Sequence, residues 1–337
     1  MRILNEKGMS HVLISFVSLL LTGLLDGEGT APPPRLKAAI ALPGVEGRFD
    51  HAALDPATHR LFFAALENNT LEVVEVVSGK RLHTITGLSK PTGVLFLPDS
   101  NLLVVANGDD GTCRFYDGTS YKEHSRLTGL EDADNLRFDA KAQRIYLGYG
   151  EGALGVIDPA TRKLVGNIFL PKHPEAFQLE QDGPRIFVNI PGANRIAVVD
   201  RVEGKVVATW LMGKLHANFP MALNEHRLFV GCRQPAQLVT FDTALGKPIA
   251  ETPMSGDVDD LFFEASTNRL LASCGDGFID VFQYVAPASL VRTQQLSTAP
   301  GARTAFYSAK FGAFYLAVPH WGAQSAEIRI YDLNPAE

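Results

Sequence analysis

The stretch NLLVVANGDDGTCRFYD, residues 101–117, holds two apolar runs of strand length separated by Asn-Gly and Asp-Gly. Both dipeptides favour the positive-φ geometry of a tight turn, so the segment reads as a hairpin of two antiparallel strands. Its first run recurs as RLFFAAL from Arg60, RIYLGYG from Arg144, RIFVNIP from Arg185, RLFVGCR from Arg227, RLLASCG from Arg269 and AFYLAVP from Ala313, at intervals of 41 to 44 residues. Seven copies at near-constant spacing mark an internal repeat. A shorter apolar run precedes each copy, as in HAALD, GVLFLPD, NLRFD, AFQLE and DLFFE. A third follows it, as in LEVVE, CRFYD, LGVID, IAVVD, LVTFD, IDVFQ and IRIYD, and then an alternating fourth such as RLHTITG or KVVATWL.

Four strands per repeat, here called a to d, and seven repeats predict an all-β fold, a seven-bladed β-propeller of four-stranded antiparallel blades. The last copy ends at Tyr331-Asp332-Leu333, directly after its third strand. Leu36 to Pro43, LKAAIALP, is expected to pair beside residues 327–333 as the missing fourth strand. That closure removes two sheet edges that would otherwise pair with other chains. The third runs end in Glu75, Asp117, Asp158, Asp200, Asp242 and Asp332, with Gln283 in the sixth copy. A short carboxylate there accepts turn N–H groups, so these acids read as turn formers.

The b-to-c segments, residues 101–117 and RIFVNIPGANRIAVVD at 185–200, resemble the YVTN repeat, and the resemblance extends over roughly residues 36–334. No copy has the literal Tyr-Val-Thr-Asn, and the Trp-Asp signature of WD40 blades is absent. The resemblance implies the YncE-like seven-bladed propellers, mostly exported bacterial proteins, and specifies a fold more than an activity.

Of 337 residues, 46% are apolar and 20% charged, which supports a substantial core. Lys and Arg number 31 against 37 Asp and Glu, a net charge of -6 with no long basic run, so nucleic acid is not an expected partner. Arg2 and Lys7 precede the uncharged stretch Val12 to Leu25, too short to span a bilayer comfortably. Residues 1–34 are therefore expected to be a signal peptide and a Pro-rich linker ending in Ala31-Pro32-Pro33-Pro34, with Met9 as an alternative start, and 35–337 the propeller. A periplasmic or secreted monomer without a permanent membrane anchor follows. Cys113, Cys232 and Cys274 show no CxxC spacing and read as buried thiols. Cys232 and Cys274 hold equivalent places in adjacent blades, about 10 Å apart, beyond disulfide reach.

Antiparallel alternation puts the d-to-a and b-to-c loops on one face of the ring, around the channel. The d-to-a segments place Asp50 and His51, Asp134 and Asn135, His173 and Glu175, Asn218, Asp259 and Asp260, and Arg303 at that mouth. The b-to-c segments add Arg233, His320 and Trp321. Converging carboxylates repel unless a cation, a proton or a basic group intervenes, which points to a small molecule or a divalent metal ion, with Asp134, Glu175 and Asp259 as metal candidates. The alternative is a metal-assisted hydrolase or lyase of a lactone-like substrate, by analogy with seven-bladed lactonases, with His51 or His320 as base. A protein-interaction scaffold is the third reading, favoured if Trp321 and Phe219 are exposed. Gly150 to Gly155 fits GxGxxG but continues as a strand, and the oxygen-rich Asn107 to Gly111 occupies a turn, so neither is read as a ligand loop. No GxSxG, HExxH or Walker motif is present.

Overall fold

Successive side chains of a strand point to opposite sides of its sheet, and in this chain both sides of each strand b meet protein. Phe63 packs with Ile40, Tyr315 and Ile328 in the gap between the last blade and the first, while neighbouring Phe62 packs with Val94, Phe96 and Leu103 in the next gap. That two-sided burial is why the anchors are continuously apolar. Seven such clusters fill the seven gaps. The protein, seen in a computed structural model that describes residues 31–285 and 289–334, forms seven four-stranded antiparallel sheets. The expected signal peptide falls outside the described residues, apart from the linker that follows it.

Blade 1 is Ala52–Asp55, Arg60–Ala65, Thr70–Glu75 and Lys80–Ile85, and the next five repeat that order. Blade 7 takes strands a to c from Ala305–Ser308, Ala313–Val318 and Glu327–Asp332, and strand d from Arg35–Ala41. The pairing runs Arg35 to Asp332 through Ile40 to Ile328, as the sequence predicts. Each strand a touches its neighbours in adjacent blades, and the contact between Ala52–Asp55 and Ala305–Ser308 completes the ring. Among the described residues, helix is limited to two three-residue turns, Pro98–Ser100 and Pro191–Ala193, and no helix is long and apolar enough to cross a membrane.

The turn acids act as expected. Asp158 accepts the N–H groups of Ala160 and Thr161, Asp200 those of Val202 and Glu203, and Asp242 those of Ala244 and Leu245. Those bonds hold the Asp158 and Asp242 carboxyls below the usual range. The Gly150–Gly152 turn joins two strands, Arg144–Tyr149 and Ala153–Asp158. A Cβ on Gly152, at φ +159°, would lie 2.4 Å from the Leu170 carbonyl oxygen, so the glycine serves chain crossing instead of a pyrophosphate. Asp110 is spent within its turn on Thr112 and on Arg114 at 2.6 Å. All three cysteines are buried and free, and burial pushes the Cys113 and Cys232 thiols up to about 12.

Sequence reading did not anticipate a set of inter-blade arginine staples. In three blades the arginine opening strand b pairs with an acid closing strand a and then reaches a carbonyl after strand c of the next blade. Arg60 joins Asp55 at 2.8 Å and Gly118 O at 2.6 Å. Arg185 joins Glu180 and Thr243 O, and Arg269 joins Glu264 and Leu333 O. In blade 3 the acid Asp139 is met by Arg201 from the following blade at 3.3 Å.

Candidate functional site

The residues just ahead of strand a are held by a further pair of backbone bonds to strand b, and this repeat positions the mouth. Asp50 N donates to Ala64 O and Ala64 N to His51 O. The same exchange links Asp134 and Asn135 to Gly148, and Glu175 and Ala176 to Asn189. Side chains at equivalent places in blades 1, 3 and 4 thus enter one cavity of about 150 Å³, lined also by Arg233, Asp259 and Arg303.

Charge is segregated around this cavity. On one side Arg303 contacts both Asp257 oxygens at 2.7 Å and Asp259 at 3.3 Å. Arg233 lies 4.2 Å above the Phe219 ring, also donates to Asp259, and bonds Val258 O at 2.8 Å. The Asp259 carboxylate is therefore shared by two guanidiniums and is less available to a metal than the sequence implies. On the other side, Asp50, Asp134 and Glu175 have no Lys or Arg partner within ion-pair distance among the described residues. His51 Nε2 stands 3.5 Å from Asp50 and 3.9 Å from Asp134. Two three-donor groups result, Asp50–His51–Asp134 and Asp134–His173–Glu175, each with ligand atoms within 4.8 Å of one another. Donors on one ion lie about 3–4.4 Å apart, so side-chain movements of up to about 1 Å or slightly more would close either group on a metal.

Asn135 adds an independent feature. It is 2% exposed, lines the cavity and donates Nδ2–H to Asp134, while its Oδ1 has no hydrogen-bond partner. A buried acceptor without a donor is costly.

Burial, then repulsion from Glu175 and Asp50, pushes the Asp134 carboxyl up to about 7. Burial, then Asp50 and Asp259, pushes Glu175 up to about 8. Burial also raises Asp50. The unfolded chain loses these protons near the ordinary values of 3.8 and 4.5, while the native state keeps them to about 7 and 8. Unfolding therefore releases protons in that window, and stability falls as pH rises through it. Chemical denaturation of metal-free protein is expected to give a lower unfolding free energy at pH 8.5 than at pH 5.5. A flat profile would show that these carboxyls titrate normally.

Some expected residues lie elsewhere. His320 pairs with Glu46 at 2.7 Å and does not line the cavity, because its loop turns back to bridge Gly47. Asn218 is fully buried, donating to Asn189 Oδ1 and Arg195 O, after a register shift in His216–Asn224 turns it between blades. A similar shift between Val258 and Asp260 leaves Asp259 at the mouth and Asp260 in a chamber below it, where Asp260 accepts the Ala305 N–H. His173 sits at the edge, its Nδ1 2.7 Å from Gly150 O. Arg48, Lys90, Thr92, Asp132, Ala176 and Phe219 complete the lining.

No family model matches the chain, and no curated protein matches it. Solved structures do match, 1757 chains in all, so the fold is too widely used to select a function. One, described as "Crystal Structure of Mitotic Checkpoint Complex", aligns over 98% of each chain with a TM-score of 0.75 at 14% identity, which shows a shared propeller fold.

Proposed function

We propose that this chain is an exported, YVTN-like propeller, periplasmic or secreted, that binds a divalent cation at its channel mouth. Asp50, His51, Asp134, His173 and Glu175 are the ligands in this reading, and the mixed carboxylate and imidazole set suits Mn²⁺ or Zn²⁺. The observation that carries it is the uneven pairing of charge: two arginines hold Asp257 and Asp259 in ion pairs, while Asp50, Asp134 and Glu175 have no Lys or Arg within ion-pair distance among the described residues, Arg48 and Arg233 acting on Asp50 and Glu175 only from farther away. Calorimetric titration of EDTA-treated protein with MnCl₂ or ZnCl₂ tests it. One saturable site is expected, with affinity rising from pH 6 to pH 8 as the ligands deprotonate. The absence of saturable binding, or binding unchanged in His51→Ala/His173→Ala, would refute it.

One observation favours a second reading, a protein-docking face. Trp321 is 58% exposed and lies over Gly301, where an added Cβ would come within 2.5 Å of its ring, whereas Phe219, the other residue expected on such a face, is half-buried beneath Arg233. The fold supports a binding or scaffold role in either case, and a silent metal titration would leave this reading in place.

A further inference from the structure

Below the mouth, sharing His51 and Ala176 with it, lies a chamber of about 330 Å³ along the channel. Its wall is mainly apolar, with Leu54, Phe96, Leu136, Met221, Leu261 and Phe306 contributed by six different blades or strand positions. The polar groups facing it are His51, Gln178, Asp260 and Arg137. Gln178 donates to Met221 O and Asp260 accepts the Ala305 N–H, so both are held by backbone.

Arg137 differs from these. It is the only Lys or Arg in the seven strands a. Its Nη1 donates to Leu136 O at 2.8 Å and its guanidinium lies 5.6 Å from the Phe177 ring centroid, but no carboxylate comes within ion-pair distance of it among the described residues. A guanidinium has five N–H donors in a planar fork that matches a carboxylate. Every well-buried arginine of the staples has an acid partner within ion-pair distance, whereas this one faces a mainly apolar chamber with no such partner. Asp260, whose carboxyl is held well above its usual range by burial and by the neighbouring Asp259, acts on Arg137 only from beyond ion-pair distance, as does Asp134.

We infer that the chamber is a binding site for a small monocarboxylate with an apolar body, whose carboxylate meets Arg137 and whose body lies against Leu54, Phe96 and Leu261. The site shares His51 with the cation ligands but binds through Arg137 and the apolar wall, and it goes beyond the function proposed for the mouth. It orients the ligand along the channel, with the anionic end toward blade 3.

The test uses methyl-labelled full-length protein in EDTA, titrated with benzoate and, in parallel, with the neutral isostere benzamide. Benzoate is expected to shift the Leu54, Met221 and Leu261 methyl signals saturably and to bind at least tenfold more tightly than benzamide. Arg137→Met is expected to weaken benzoate binding about tenfold or more, the loss of one charge-assisted pair, and Arg137→Lys to retain part of the affinity. Equal binding of benzamide, shifts confined to methyls outside the chamber, or no saturable binding of benzoate would overturn the inference. The wild-type comparison decides the matter even if Arg137→Met does not fold. Because EDTA removes divalent ions, a failure here leaves the cation site standing, and a silent metal titration leaves this one standing.

Discussion

Replacing Arg269 by methionine is expected to lower the unfolding free energy by about 3–5 kcal/mol, the cost of stranding one partner of a buried ion pair. Arg269 and Glu264 are each 1% exposed. The guanidinium donates to Glu264 Oε2 at 2.7 Å, to Thr267, to Pro32 O at 2.6 Å and to Leu333 O at 3.0 Å. One side chain of blade 6 thus holds the chain on both sides of the strand pair that closes the ring. Methionine fills similar space but leaves a buried carboxylate without its counter-ion, bonded by the Thr267 hydroxyl alone, and removes the arginine donor from two carbonyls. Glu264→Leu/Arg269→Met removes both charges and is expected to be less destabilised than Arg269→Met alone. Urea denaturation of the two variants checks this, and a loss below about 1 kcal/mol for the single variant would contradict the staple.

Asp134→Asn is expected to affect binding and stability in opposite directions. Asp134 belongs to both three-donor groups, so neutralising it impairs either arrangement. The loss in Mn²⁺ affinity should exceed the 10- to 100-fold typical of altering a group behind a ligand. Without metal, the same change removes a carboxylate whose ionisation burial and two neighbouring acids oppose. The metal-free variant should therefore be more stable at pH 8, by up to a few kcal/mol, each unit of pKa displacement corresponding to about 1.36 kcal/mol. A purely structural aspartate would lose stability on substitution and leave metal binding unchanged. Stability exchanged for function in this way is common at binding sites.

The fold is legible because strand b lies between two gaps and must be apolar on both faces, which makes RLFFAAL or RIFVNIP recognisable without an alignment. Closure by Leu36 to Pro43 is legible because that run precedes the first strand a and has the alternating character of a strand d. The mouth is legible wherever strand a keeps its register: Asp50, Asp134 and Glu175 occupy equivalent places and converge. It fails where the backbone shifts by a residue, as at Asn218 and Asp260, or where a loop folds away from the axis, as at His320. Period-two reasoning cannot foresee an irregularity that changes the side a residue faces. The staples were visible as an acid five residues before Arg60, Arg185 and Arg269, and as Asp139 before Arg144, but their carbonyl partners lie in the next repeat. Arg137 carried a signal too, a lone cation in a set of strands otherwise free of Lys and Arg.

Diffraction at the manganese absorption edge, from crystals grown with MnCl₂, tests the central claim most directly. A single strong anomalous peak is predicted at the channel mouth, about 2.1–2.3 Å from an Asp134 oxygen and from His51 or His173 nitrogen. No peak there, or peaks only at exposed surface carboxylates, would contradict it.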